Sequence, residues 1–273
     1  MIDFTPLLTN PKLMIFGAAA QFGIFFTLSL ASLLGFDLKD AASIGIIGAA
    51  DGPTSIFVAN YFNSKYIGAI MVAAYSYMAL VPLVQPPVIK LLTTKNERRI
   101  RMQYKQKEVS KTTKILFPII ITAITGIVSP RSVALIGFLM FGNLVRECGV
   151  LDALSETAQK VLANLITLFL GLTIATKLQA EYFLTVETLV IIGLGLIAFI
   201  FDTAGGVLFA KLLNPMIGAA GISAFPMSAR VVHKMGLAED NQNFLLMHAV
   251  GVNVSGQIAS VIAGGMILNM IAR

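Results

Sequence analysis

The chain reads as an all-α, polytopic membrane protein whose transmembrane helices are in part broken, in the manner of an inverted-repeat transporter. Three observations predict this class. Hydrophobic residues make up 56% of the sequence and charged residues only 12%, whereas a soluble domain carries about 25% charged residues. Uncharged runs such as Leu13 to Phe36 and Tyr66 to Ile89 reach the roughly 20 residues needed to cross a bilayer. Finally, Asp51 is the only charged residue between Ala41 and Ser64, and Gly52-Pro53 follows it directly. A carboxylate inside a membrane segment costs roughly 3 kcal/mol or more and marks a functional site by default. Glycine and proline beside it break the helix and free backbone carbonyls to help hold a cation.

The elements follow in order. Leu13 to Leu34 is a full span. Ala41 to Asn60 is a segment broken around Asp51. Tyr66 to Leu92 is a span with Pro82, Pro86 and Pro87 in its cytoplasmic half. Lys95 to Lys114 then holds eight basic residues against Glu97 and Glu108. This stretch, about 93–114, is a cytoplasmic loop by the positive-inside rule. It lacks the aromatic interleaving of a nucleic-acid stacking platform, so no nucleic-acid partner is expected, and its charge suits docking of a soluble partner. Ile115 to Val128 and Ser132 to Val145 flank Ser129-Pro130-Arg131, as one kinked span or two half-spans. Arg146 to Lys160, with charges of both signs, reads as an interfacial helix or loop. Val161 to Thr176 is apolar, and the net acidic Lys177 to Glu187 favours the outer side. Thr188 to Leu213 is a span interrupted by Asp202 and Gly205-Gly206. Asn243 to Ala272 is long and uncharged, with a polar cluster inside. No linker divides the chain, so residues 1–273 form one membrane domain. The single Cys148 excludes an intrachain disulfide and a thiolate metal cluster. Gly171, Gly193, Gly195, Gly264 and Gly265 fit close helix packing.

Polar residues gather in three further places. Tyr75 and Tyr77 lie mid-span, where a buried hydroxyl needs a partner. The run from Asn214 to Arg230 holds two prolines and two glycines, which disfavours one regular helix. Asn214 and Ser223 supply oxygens there, and Arg230 ends the apolar run, where an interface anchor is the plainer reading. Asn253 and Ser255 sit between Gly251 and Gly256 and echo Gly48-Ala-Ala-Asp51-Gly-Pro-Thr-Ser55. Paired broken segments in two halves point to a midplane transport site. Hard oxygen donors suit alkali or alkaline-earth cations. One carboxylate balances one charge, which favours Na⁺ or H⁺.

The motif Gly48-Ala-Ala-Asp51-Gly-Pro-Thr-Ser-Ile-Phe resembles the signature of the β subunits of sodium-ion-translocating decarboxylases, which act on oxaloacetate, methylmalonyl-CoA, glutaconyl-CoA or malonate. The likeness continues through Ala74-Tyr-Ser-Tyr77-Met, Val84-Gln-Pro-Pro-Val, Gly142-Asn-Leu-Val-Arg-Glu-Cys-Gly, Asn214-Pro-Met-Ile-Gly218 and His248-Ala-Val-Gly-Val-Asn253. The resemblance implies a bacterial inner-membrane, multi-pass subunit that couples decarboxylation of carboxybiotin to Na⁺ export and does not act alone. It implies Na⁺ as the transported ion and biotin on a partner subunit, not on this chain. The implied partners are carboxyltransferase and biotin-carrier subunits, a small single-span γ subunit, and further copies of this chain. The implied ion ligands are Asp51, Asn214, Ser223 and Asn253, with Gly218 beside them. Arg230 and Tyr77 are the implied catalytic residues. This chain has Gly-Val-Asn253 where the family commonly has Gly-Pro-Asn. Family members also carry membrane segments before the stretch found here at Pro6, so those segments are expected to be missing from this chain. Two alternatives stay open: a stand-alone Na⁺/H⁺ antiporter with a similar broken-helix site, and a non-transporting anchor for the soluble decarboxylase subunits.

Overall fold

The computed structural model describes residues 2–102, 108–177, 184–211, 214–222 and 227–271. Among them every element is helical, and six helices are long and apolar enough to cross a membrane. The elements are α1 (Thr5–Thr9), α2 (Leu13–Ala19), α3 (Phe22–Leu33), α4 (Leu38–Gly45), α5 (Gly52–Tyr61), α6 (Ile67–Leu92), α7 (Lys95–Arg98), α8 (Lys111–Val128), α9 (Val133–Cys148), α10 (Asp152–Thr157), α11 (Ala163–Lys177), α12 (Val186–Ala210), α13 (Pro215–Gly218), α14 (Met227–Glu239) and α15 (Leu246–Ile271). The chain is thus the all-α, multi-pass membrane protein that its composition predicts.

Its plan is two units of the same design in opposite orientation. In the first, the α2–α3 span is followed by a re-entrant hairpin and then by α6. The hairpin descends through α4 and a 3₁₀ turn, Ile46–Ala49, reverses at Ala50-Asp51, and returns through α5. Its two ends meet at the end away from the basic loop, where the Ser64 hydroxyl donates to Asp40 Oδ1 at 2.6 Å. In the second unit, α12 is followed by α13, a 3₁₀ turn at Ala219–Ile222, α14 and then the span α15. This hairpin opens toward the end that carries the basic loop: Asn214 Nδ2 donates to the Ile100 carbonyl at 3.2 Å, and Glu239 pairs with Arg98 at 2.8 Å. Both hairpins begin alike. Asp37 and Asn214 each cap the first arm by accepting from the backbone N–H two residues on, satisfying a donor that the helix start leaves free.

This plan corrects the pairing drawn from sequence. The counterpart of the Asp51 segment is the Asn214 segment, not Asn253. α15 is unbroken from Leu246 to Ile271; its glycines serve packing instead. A Cβ on Gly256 would stand 1.8 Å from the Gly221 carbonyl oxygen. Likewise Asp202 and Gly205-Gly206 do not interrupt α12. Cβ atoms on Gly206 and Gly218 would stand 2.3 and 2.0 Å from each other's carbonyl oxygen, so here span and hairpin touch backbone to backbone. Gly195, Gly264 and Gly265 instead make room for neighbouring side chains, of Tyr77, Thr54 and Ser132 respectively, whereas Gly171 and Gly193 have nothing within 4 Å.

The segments around Ser129 form two antiparallel helices, α8 and α9, rather than one kinked span. Lys114 and Glu147 meet at one end, 3.8 Å apart. At the other, the turn Pro130–Ser132 lies against α15, where the Arg131 guanidinium donates to the Leu268 carbonyl. The region from Arg146 to Lys160, expected as an interfacial helix or loop, divides between two helices. Arg146 lies in the last turn of α9, which stops at Gly149 with φ 71°, a left-handed conformation that glycine adopts freely. A new helix then starts at Asp152 and continues through a π turn at Ala158–Leu162 into α11. It is the most exposed of the spans.

The basic loop is partly neutralised by the second hairpin. Arg101 makes two hydrogen bonds to Asp240, at 2.5 and 2.9 Å, and Lys211 lies 3.5 Å from Glu97. The Arg98 and Arg101 guanidiniums hold the carboxyls of Glu239 and Asp240 below the usual carboxylate range. Their attraction is therefore complete at neutral pH and is lost only as pH falls through those depressed values. Docking of this loop should persist through mildly acidic conditions. The orientation is checked with the exposed Glu108: a Glu108→Cys chain in a Cys148→Ser background should resist an impermeant thiol reagent in intact cells and react in inverted vesicles. Strong labelling from outside would reverse the topology.

Candidate functional site

Asp51 sits at the turning point of the first hairpin. Ala50 takes a left-handed φ of 48° and Asp51 an extended one of −120°, so the 3₁₀ turn ends and α5 begins at this pair. For a residue other than glycine the left-handed step costs about 1–2 kcal/mol, which local contacts must outweigh. Asp51 Oδ1 caps α5 by accepting from the Thr54 N–H at 3.3 Å, and Oδ2 accepts the Thr54 hydroxyl at 2.8 Å. Ser260 of α15 donates to the same oxygen at 3.2 Å. The ring of Tyr75 covers Gly52 so closely that a Cβ there would stand 2.4 Å from it.

Asp51 is 7% exposed, and no lysine or arginine meets it among the ion pairs of the described residues. Its neighbours are hydroxyls, and no cluster of three His, Cys, Asp or Glu side chains able to hold a metal occurs among the described residues. A single carboxylate in a ring of neutral oxygens suits a monovalent hard cation better than zinc or copper.

From Asp51 a polar stripe runs along α15. Ser260, Gln257 and Asn253 lie at helical spacing on one face. Gln257 Nε2 donates to Asn253 Oδ1 at 3.3 Å, and Ser260 Oγ donates to the Gln257 carbonyl at 3.0 Å. Asn253 in turn donates to the Ala220 carbonyl and to Ser228 Oγ, both at 3.3 Å. The stripe therefore joins Asp51 to the second hairpin over about 10 Å, seven residues at 1.5 Å each. There, three consecutive carbonyls of the second 3₁₀ turn each accept from a side-chain amide. Gln85 takes Ala219 at 2.8 Å, Asn253 takes Ala220, and Gln21 takes Gly221 at 3.3 Å. Such carbonyls are the orphan acceptors of a helix end, and three separate spans satisfy them.

The other sequence-predicted residues fall as follows. Asn214 is buried at the open end of the second hairpin, where it caps α13 and bonds to Ile100; it does not touch Asp51. Gly218 is the close-packing glycine against Gly206. Ser223 lies outside the described residues. Tyr77 is buried, donates its hydroxyl to the Ile192 carbonyl of α12 and packs on Gly195, so of the two tyrosines it is Tyr75 that covers the Asp51 break. Arg230 is exposed on α14. It stands nine residues, about 13 Å, from the end of α14 at Glu239, and Lys234 continues the same exposed stripe one turn on. Sequence reasoning missed Gln21, Gln85, Thr54, Ser228 and Ser260. Two of them carried a readable signal: Gln21 and Gln85 are uncharged polar residues inside otherwise apolar spans.

Comparisons with known proteins identify the family. A family model described as the Na⁺-transporting oxaloacetate decarboxylase beta subunit matches residues 1–271. The oxaloacetate decarboxylase beta chain of Klebsiella pneumoniae is 52% identical over 99% of this chain and 66% of its own length. The probable oxaloacetate decarboxylase beta chain of Vibrio cholerae is 51% identical with the same coverage. The methylmalonyl-CoA decarboxylase subunit beta of Veillonella parvula is 51% identical over all of this chain and 75% of its own. The chain thus spans just under two thirds of the length of the first two relatives. With its six apolar helices and a match that runs almost end to end, this multi-pass inner-membrane chain belongs to the family of Na⁺-transporting decarboxylase beta subunits.

Proposed function

We propose that the chain is the ion-conducting membrane subunit of a biotin-dependent decarboxylase complex and couples decarboxylation of carboxybiotin to Na⁺ export. The observation that carries this is the solitary Asp51 carboxylate, set at a helix break and joined to the second hairpin by the stripe Ser260–Gln257–Asn253. A passive anchor has no use for a charge so costly to bury. Na⁺ is held by Asp51 with Thr54 and Ser260, and it passes along the stripe toward oxygens of Asn253, Asn214 and Ser223. The two hairpins open to opposite faces, so alternate access follows from rocking one unit against the other.

Biotin belongs to a partner subunit, which supplies the carboxyl group. Arg230 fits that group: it is exposed on the re-entrant helix, within reach of the cytoplasm, and its guanidinium can grip a carboxylate bidentately. Tyr77 is assigned to proton delivery and Gly218 to keeping the hairpin against α12. Carboxyltransferase and biotin-carrier subunits, a single-span γ subunit and further copies of this chain complete the assembly. Export of one charge against 100 mV costs about 2.3 kcal/mol, so loss of CO₂ must favour one access state over the other.

The test separates chemistry from ion binding. With a carboxylated biotin carrier, Arg230→Lys should lose most CO₂ release while ²²Na binding on the same preparation stays near normal, because lysine cannot reproduce the bidentate grip. Near-normal CO₂ release would make Arg230 an interface anchor.

A further inference from the structure

A second carboxylate lies buried in the first unit's interface with α12. Asp202 is fully buried, in mid-span of α12. Its Oδ1 accepts from the Ile24 N–H at 3.2 Å, and the carboxyl also accepts from the Gly23 N–H. Two glycines make room for it. A Cβ on Gly23 would stand 2.6 Å from Oδ1, and one on Gly48 would stand 2.6 Å from Oδ2. Asp202 thus caps α3 from another helix, just beyond the break at Ala20-Gln21, and leans on the 3₁₀ turn that leads to Asp51.

Oδ2 has no hydrogen-bond partner. Its surroundings near Gly48 are carbon: the Ala198 Cβ stands 2.8 Å from where a Gly48 Cβ would be. No lysine, arginine or histidine occurs in α2, α3, the 46–49 turn or α13. Of the other elements packed on α12, α4 carries Lys39 and Asp40 and α6 carries Tyr75, Tyr77 and Lys90; Tyr77 meets Gly195 of α12, Asp51 lies three residues beyond Gly48, and no ion pair among the described residues joins either lysine to Asp202. An ionised carboxylate with a bare oxygen in such a place is strongly penalised unless a cation neutralises it. Na⁺ needs several oxygen ligands gathered around it. A proton needs only the one oxygen.

We propose that Asp202 is a proton-binding site of the chain, holding its proton on Oδ2 in this conformation and releasing it when the first hairpin moves away from α12. The bound proton is independent of the proposed Na⁺ site; only its release during transport rests on that reading. Ionisation would leave the Oδ1 cap intact while placing a negative charge beside Gly48, so the proton state biases the hairpin that carries Asp51.

The test is infrared spectroscopy of the purified protein saturated with Na⁺, when Asp51 is ionised. A protonated-carboxyl band should persist at neutral pH, shift on deuteration and disappear in Asp202→Asn, which keeps the capping oxygen but cannot ionise. In reconstituted complexes this variant should retain ²²Na binding and show a flattened pH profile of Na⁺ transport. Absence of a protonated-carboxyl band from the Na⁺-saturated wild-type protein would overturn the proposal even if the variant failed to fold. A band that survives in a folded Asp202→Asn chain would also overturn it. Loss of all transport in the wild type, with the band present, would instead count against the proposed function alone.

Discussion

Asp51→Asn lowers the Na⁺ affinity of the reconstituted complex by roughly two to four orders of magnitude. Asparagine keeps the size of the side chain and can still cap α5, so the hairpin tip survives. What is lost is the charge that offsets the ion. Leaving one partner of a buried ion pair uncompensated costs about 3–5 kcal/mol, the same span expressed as affinity. Thr54 and Ser260 cannot make up the difference, because each brings one neutral hydroxyl. Thr54→Val and Ser260→Ala should therefore weaken Na⁺ binding far less, by roughly tenfold each, the worth of one hydrogen bond to a charged group. The measurement is ²²Na binding alongside the Na⁺ concentration for half-maximal transport. Wild-type values in Asp51→Asn would remove Asp51 from the site.

The second large effect is mechanical. Gly218→Ala and Gly256→Ala should abolish Na⁺-dependent activity and lower the yield of folded protein. In each, the new methyl group would meet a backbone carbonyl oxygen at 2.0 or 1.8 Å, and neither backbone can yield without shifting a helix. Overpacking of this kind typically costs 1–3 kcal/mol, occasionally more. Here it would also push the second hairpin off the spans that fix it. Gly193→Ala is the control: nothing lies within 4 Å of its Cβ position, and it should be nearly silent. Fluorescence-detected size exclusion and transport on the same samples separate folding from function. Full activity in Gly218→Ala would mean the hairpin does not pack as described.

Much of the fold was legible because hydrophobic run length and charge placement are strong signals in a membrane chain. Leu13–Leu33 and Ile67–Leu92 appeared almost to the residue, and the break fell at Asp51. The prolines did not hide the Tyr66–Leu92 span: Pro82, Pro86 and Pro87 lie inside an unbroken α6, since neighbouring segments can satisfy the carbonyls that proline frees. Composition misled at Asp202 and Asn253, where a polar group in a span suggested a break. Both helices continue, because the side chains bond outward to another element. The re-entrant path of the two hairpins was not readable, as an apolar segment that turns back has the same composition as half of one that crosses. The symmetry of the two units became visible only from which ends meet: Asp40 with Ser64 on one side, Arg98 with Glu239 on the other. The site was legible at Asp51, whose charge stands alone. Thr54 and Ser260 were hidden, since a hydroxyl in a membrane helix usually bonds its own backbone. Only the approach of α15 to the hairpin gives Ser260 its role.

The claim at the centre is that one chain holds Na⁺ at Asp51 and ties its movement to loss of CO₂ from a biotin partner. The most direct measurement follows ²²Na entry into inside-out vesicles carrying the assembled complex, with carboxylated biotin carrier supplied outside and CO₂ counted in the same tube. The account predicts Na⁺ uptake that starts with CO₂ release, stops when avidin sequesters the biotin, and vanishes in Asp51→Asn. CO₂ release with no Na⁺ uptake would reduce the chain to an anchor. Na⁺ uptake that is driven by a proton gradient and indifferent to avidin would make it an antiporter, and either result would contradict the account.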